Sequence, residues 1–337
     1  MTEALIDYGL FLAKTATILV GLGLLLVALV RSRRGDKFDG DRLEVLDLNG
    51  KYRDMARQLT RASMSRKDFL KLLKSDRKAE KQRHKQRSDE RKRLFVIDFH
   101  GDIKATEVAS LREVVTGVIM EAAEGDRVLL RLENAGGMVT EHGLAASQLM
   151  RLRAKGIPLT VAVDKVAASG GYLMAVVADR ILAAPFAVVG SIGVVAQLPN
   201  FHRLLEKSGV DFELHTAGEY KRTLTLFGEN NEAGREKLRE QLEDTHLLFK
   251  DFIREYRPDM DLAKVATGEY WHGRQALELG LIDAIQTSDD FLLEAGEDAD
   301  VYLVTYEAHK RPVERLLSSM GRALLDAVAR HWPVGRG

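Results

Sequence analysis

Of the residues that could do chemistry, Ser169 has the most unusual setting. It lies in "KVAASGGYLMAVVAD" (Lys165–Asp179), a run of small residues, and is followed at once by Gly170 and Gly171. Small side chains let backbone and substrate approach closely. A serine hydroxyl is a poor nucleophile until a neighbour accepts its proton, and no Gly-x-Ser-x-Gly elbow surrounds this one. His142, His202, His215, His246 and His272 lie in the body of the chain, but none sits in a glycine-rich loop with a nearby aspartate. Each therefore reads as a surface or structural histidine. Cysteine is absent, which removes thiolate catalysis, disulfides and cysteine-based zinc sites.

A lysine can take the proton instead, because a Ser-Lys pair is a recurring variant of the triad. It must first lose its charge, which requires burial among apolar neighbours. Lys155, Lys207, Lys237 and Lys250 lie in charged helical stretches and do not meet that condition. Lys165, four residues before the serine, follows Asp164 and is expected to pair or face solvent. Lys221 lies in "TAGEYKRTLTLFG", among glycine, hydroxyl and apolar residues. The residues lean towards Lys221 without settling the choice. Acyl transfer also needs donors for the developing oxyanion, usually backbone amides in glycine turns. "NAGG" (Asn134 to Gly137) falls between an expected strand and an expected helix, where an ordinary connecting turn is the competing reading.

These residues need a frame. From Leu94 the chain alternates short apolar runs with helical patterns: "LFVIDF" as a strand, then "TEVASLREVVTGVIMEAAEGD" as a helix capped by Thr106 and stopped at Gly125. "RVLLRLEN" is a second strand, "EHGLAASQLMRLRAKG" a second helix and "IPLTVAVD" a third strand. The serine stretch opens a third helix, and "RILAAPFAVVGSIGVVAQ" gives further short strands separated by Pro185 and Gly190. Helices resume at "NEAGREKLREQLEDTHLLFKDFIREYR", and "HGRQALELGLIDAI" gives a helix stopped by Gly280 and then a strand. This alternation predicts an α/β fold with a substantially parallel sheet and functional loops at strand ends. Residues 159–198 are apolar, but Asp164, Lys165, Asp179 and Arg180 break them into strand-length pieces, so they read as core.

The 337 residues carry 50 Lys/Arg and 50 Asp/Glu, yet the balance is uneven along the chain. Residues 31–93 hold 22 basic against 11 acidic side chains. Residues 8–30 contain a single charge, Lys14, and are long enough to span a bilayer as a helix. The acidic start and the basic exit "RSRRGDK" favour an uncleaved anchor over a cleaved signal peptide. The expected organisation is an anchor at 8–30, a basic charged helical tether at 31–93, a catalytic domain at 94–307 and an amphipathic tail at 308–337. The tether reads as a solvated helix, with anionic lipid as a further partner. Nucleic acid is not expected, because no aromatic residues interleave with its charges.

In order along the chain, "ENAGGMV", "KVAASGGY", "GSIGVV" and "GEYKR", followed by "WHGRQALELGLIDAI", resemble the signal peptide peptidase family of Ser-Lys serine proteases, and within it the SohB-type membrane peptidases. The resemblance covers about residues 94–290. It implies a crotonase/Clp protease-like fold of repeated strand–strand–helix units, preceded by an N-terminal transmembrane helix. It implies Ser169 as nucleophile, Lys221 as general base, Ser191 hydrogen-bonded to the lysine, and the amides of Gly136 and Gly170 as the oxyanion hole. No cofactor or metal is implied. Polypeptide substrates are, chiefly cleaved signal peptides and other short or unfolded hydrophobic segments, together with a homo-oligomer in which serine and lysine can come from adjacent subunits. The family turn usually has proline before its two glycines, where this chain has Ala135, so the turn is expected to be less rigid.

The expected location is the bacterial inner membrane, crossed once. The basic flank after the anchor predicts a cytoplasmic body, whereas the resemblance implies one facing outward, and the side stays open. Two other functions compete. An acyl-CoA enzyme on the same fold would need a carboxylate for proton transfer and has no use for Ser169, Ser191 and Lys221 together. A catalytically idle membrane scaffold has no use for an intact dyad.

Overall fold

The computed structural model describes residues 42–86 and 92–307, and in part residues 9–21. The expected anchor and the tail at 308–337 lie mostly or wholly outside them. Among the described residues no helix is long and apolar enough to cross a membrane. Two units are distinguished, 43–306 and a second formed by 1–42 with 307–337. In the second, the described positions between 9 and 21 are helical and exposed.

In chain order the elements are β1 (Arg42–Asp47), α1 (Leu48–Ser63), α2 (Arg66–Gln86), β2 (Arg93–Gly101), α3 (Val108–Glu121), β3 (Arg127–Asn134), α4 (Val139–Ala154), β4 (Leu159–Val163), β5 (Val166–Ala168) and α5 (Gly170–Ala175). There follow β6 (Arg180–Ala183), β7 (Val188–Gly190), α6 (His202–Lys207), α7 (Glu232–Tyr256), α8 (Leu262–Val265), β8 (Tyr270–His272), α9 (Gly273–Glu278), β9 (Ala284–Ile285), α10 (Ser288–Asp298) and β10 (Asp300–Glu307).

Seven strands run in the order β1-β10-β2-β3-β4-β6-β9, and β5, β7 and β8 extend from β3 as a side branch. The pairs from β10 through β9 are parallel, as are β3–β5 and β5–β7, while β7–β8 is antiparallel. The fold is thus α/β with a mixed, mainly parallel sheet.

The continuous apolar runs of β2 and β3 follow from burial on both faces. Phe95, Ile97, Phe99, Val128, Leu130 and Leu132 pack beneath α3 and α4, against Leu111, Val115 and Leu149. Leu94, Val96 and Leu129 face the other way, against Leu48 of α1 and Phe291 and Leu292 of α10. Residues 159–190 supply the core strands β4 to β7, as their charge interruptions predict, whereas Val195 and Leu198 beyond them are exposed and not core.

Two local expectations change. Thr106 does not cap α3; its N–H and hydroxyl both donate to Asp102, and the cap position falls to Glu107. The helix after Ser169 is only six residues long. Part of the charged segment before Leu94 also joins the sheet unit. β1 pairs with β10, and Asn49 at the start of α1 donates to the carbonyls of Gly296 and Ala299 and accepts from the Val301 N–H.

Candidate active site

Four parallel strands end side by side. Gly101 of β2 is in register with Asn134 of β3, Asn134 with Ala167 of β5, and Ala168 with Gly190 of β7. Each strand then turns, and these turns carry the sequence motifs.

Ser169 is the first residue past β5. Its φ is 52° and its ψ −118°, a conformation that L residues adopt at a cost of about 1–3 kcal/mol. Two backbone bonds hold it there: its N–H donates to Gly190 O at 2.8 Å, and its carbonyl accepts the Leu173 N–H at 2.9 Å. Ser191, one residue past β7, has the same φ of 52°, and its N–H donates to Glu269 O at 2.7 Å.

The NAGG turn touches this serine directly. Gly136 has φ +91°, and a Cβ there would lie 2.8 Å from both Ala168 O and the Ser169 Cβ, so only glycine fits. Gly170 is fixed by a different neighbour, since a Cβ there would lie 2.4 Å from Cγ of His142.

Ser169 opens onto a cavity of about 400 Å³. Gly137 and Gly170 line it beside the serine. Val139 and Ala146 come from α4, Leu173 from α5, and Leu248, Phe249 and Phe252 from α7. Its character is that of a site for an apolar side chain.

The S49 peptidase family models match this chain in two consecutive parts. The N-terminal model of peptidase family S49 covers residues 3–149, and the peptidase family S49 model covers residues 151–302. The chain belongs to peptidase family S49. It is 44% identical to the "Probable protease SohB" of Haemophilus influenzae over 98% of this chain and 97% of that one. It is 46% identical to the protein of the same description from Buchnera aphidicola subsp. Schlechtendalia chinensis, over 86% of this chain and 99% of that one. Solved structures are more distant. The 1510-N membrane-bound stomatin-specific protease gives a TM-score of 0.42 at 13% identity, over 61% of this chain and 85% of that one. ClpP1 from Listeria monocytogenes gives 0.40 at 12% identity, over 58% and 94%.

Within this S49 chain the expected site residues fall into two groups. Ser169, Ser191, Gly136 and Gly170 converge on the turns just described. Lys221 does not join the cavity lining; it is exposed on the segment 194–231, irregular apart from α6, with its N–H on Gly218 O at 3.2 Å. That segment folds on itself. Phe227 packs on Phe201 and Phe212, and the Asn200 amide donates to the Thr225 and Gly228 carbonyls. Lys165 pairs with Glu133 at 2.9 Å on an exposed polar cleft with Asp98, His100 and Arg131, away from the serine.

One expected oxyanion donor has a competing partner. The Gly136 N–H is already committed, donating to Asn134 Oδ1 at 2.8 Å. Gly137 is the turn glycine that lines the cavity.

The sequence reads His142 as a surface or structural histidine, and it is the structural kind. It is fully buried, in the first turns of α4, and its ring nitrogens lie 2.9 Å from Met138 O and 3.2 Å from Asn134 Oδ1. Its position eight residues beyond Asn134, on the helix that follows the glycine turn, was the available signal. Both ring nitrogens face these oxygens, and neither is hydrogen-bonded to Ser169.

Proposed function

We propose that this S49 peptidase is a membrane-anchored serine endopeptidase that cleaves signal peptides or other short, unfolded hydrophobic polypeptides through an acyl-enzyme. The observation that carries the reading is Ser169: a strained serine at the wall of an apolar cavity, flanked by Gly170 and touched by the NAGG turn.

In this mechanism Lys221 Nζ accepts the Ser169 hydroxyl proton as Oγ attacks the scissile carbonyl. The oxyanion is received by the amides of Gly170 and Gly137, the latter in place of the committed Gly136. The tetrahedral adduct collapses, Lys221 returns the proton to the leaving amine, and water repeats the sequence on the ester. Ser191 hydrogen-bonds the lysine amine. The cavity receives an apolar substrate side chain.

The exposure of Lys221, outside the cavity of its own chain, supports a homo-oligomer in which serine and lysine come from neighbouring subunits. The segment bearing it also exposes the apolar side chains of Val195, Leu204 and Val210, which a neighbouring subunit could cover. The reading extends to a crotonase/Clp-like fold, a bilayer span at 8–30, and residence in the bacterial inner membrane.

The test is hydrolysis of a quenched apolar peptide by the detergent-purified full chain and its Ser169→Ala, Lys221→Ala and Lys165→Ala variants. The dyad requires the first two to be inactive and the third active. Mixing the two inactive variants restores activity if sites are shared. Full activity of Ser169→Ala would remove the nucleophile assignment and reopen the histidines, the acyl-CoA reading and a contaminating protease. Reporter fusions after Arg34 and at Gly337 determine the side of the membrane.

A further inference from the structure

Asn134 joins two things that the proposed chemistry keeps separate, the glycine turn and a buried histidine. Its side chain is 1% exposed and tightly housed: a Cβ at Gly101 would lie 2.2 Å from its Cγ, and its amide nitrogen lies 3.4 Å from the Met174 sulfur. Its Oδ1 has two lone pairs and two neighbours able to fill them. One is the Gly136 N–H at 2.8 Å; the other is Nε2 of His142 at 3.2 Å. The other ring nitrogen, Nδ1, lies 2.9 Å from Met138 O, which already accepts the His142 main-chain N–H at 3.1 Å. A ring with its proton on Nε2 donates to Oδ1 and completes it.

The amide orientation follows from these contacts. Turning Asn134 over would set its NH2 against the Gly136 N–H, donor facing donor. Oδ1 therefore points at the turn, and the imidazole is the second group that holds it there. Ala135, between Asn134 and Gly136, does not restrict φ as a proline would. Gly136 at φ +91° is likewise free to move unless its N–H is held. The geometry points to His142 as a positioning residue. Through Asn134 it fixes the Gly136 peptide, and so directs the next amide, that of Gly137, towards the carbon attacked by Ser169. The same imidazole packs under Gly170, so one buried ring sets the spacing of both amides assigned to the oxyanion.

This inference rests on the serine-peptidase reading, and the test separates the two. The detergent-purified full chain is compared with His142→Phe, which fills the space without a donor, and His142→Gln, which can still donate to Oδ1. Three readouts are taken: kcat and KM on the quenched apolar peptide, affinity for a peptide boronate that forms a tetrahedral adduct, and thermal midpoint. Misplacing an oxyanion donor lowers kcat about 10²-fold. The expected result for His142→Phe is such a loss, with a matching loss of boronate affinity and KM within about 3-fold. His142→Gln is expected to recover most of it. A second pair, Asn134→Ala and Asn134→Asp, tests the same link from the other end: alanine removes the acceptor and aspartate keeps it. This pair decides the matter should phenylalanine not be housed. Wild-type kcat and boronate affinity in a folded His142→Phe or Asn134→Ala variant would overturn the inference. So would a change confined to KM. Inactivity of Ser169→Ala in the same assay keeps either outcome distinct from failure of the underlying reading.

Discussion

Ser169 and Ser191 occupy equivalent places on neighbouring strands. Each is the first residue past its strand in the parallel β5–β7 pair, and each has a φ of 52°. The Ser169 N–H bonds to Gly190 O, the carbonyl immediately before Ser191, so one serine cannot shift without the other. Two non-glycine residues in the left-handed region, side by side, mark a place where the fold tolerates strain to present side chains.

If Ser191 steadies the lysine that takes the Ser169 proton, its removal should slow chemistry without weakening substrate binding. Ser191→Ala is expected to lower kcat by about 10²-fold, within the range for general acid–base assistance, with KM nearly unchanged. Steady-state kinetics on the quenched apolar peptide check this. A rise in KM alone would assign Ser191 to substrate contact instead.

Gly136→Ala should be far more damaging than its single methyl suggests. The new Cβ would meet Ala168 O and the Ser169 Cβ at 2.8 Å, in a backbone conformation that already disfavours alanine. Both the turn and the serine must move. The expected outcome is a loss of about 1–3 kcal/mol in stability, read by thermal or denaturant unfolding, together with near-complete loss of peptidase activity.

Specificity should lie partly in α7. Leu248 lines the cavity near its open side and is 70% exposed, so its truncation should leave the fold intact. Leu248→Ala is expected to reduce kcat/KM about 5-fold for peptides with a large apolar side chain at the cleavage site, and much less for peptides with alanine there. Parallel assays on a matched peptide pair make the comparison.

Much of this was legible in the sequence where local pattern and tertiary role coincide. The apolar runs of β2, β3 and β4, the stops at Gly156 and Gly280, and the small residues about Ser169 each point to the element or turn that forms. Other features depend on which partner a side chain or amide takes in the folded chain, whether that partner is near in sequence or far. Thr106 looked like a helix cap, but Asp102 competes for both its donors. Gly136 looked like a free amide, but Asn134 Oδ1 occupies it. His142 read as a structural histidine, and only the return of α4 across the strand ends brings it to Asn134. The charges of residues 42–63 suggested a solvated helix, while Leu48 and Asn49 in the same stretch are bound to α10 and β10.

Acid should destabilise the sheet unit through two carboxylates. Burial pushes the Asp126 carboxyl up, but Arg93 and the N–H groups of Ala123 and Arg93 outweigh it and hold the carboxyl below its ordinary value. At Asp283 burial again acts upwards, and Arg257 with the Ile181 N–H overcomes it. Both groups are more acidic folded than unfolded. Their stabilisation is therefore complete above the unfolded carboxyl value, about 3.9. It is lost as pH falls below that towards the folded values. The thermal midpoint should change little on their account between about pH 7 and 5 and fall steeply below about pH 4. Asp126→Asn keeps the shape of the side chain but loses the charge that Arg93 meets. It is expected to cost about 1–3 kcal/mol at neutral pH and to flatten the acid limb. Thermal unfolding of both proteins from pH 7 to pH 3 checks it, and an unchanged acid limb in Asp126→Asn would place the acid sensitivity elsewhere in the fold.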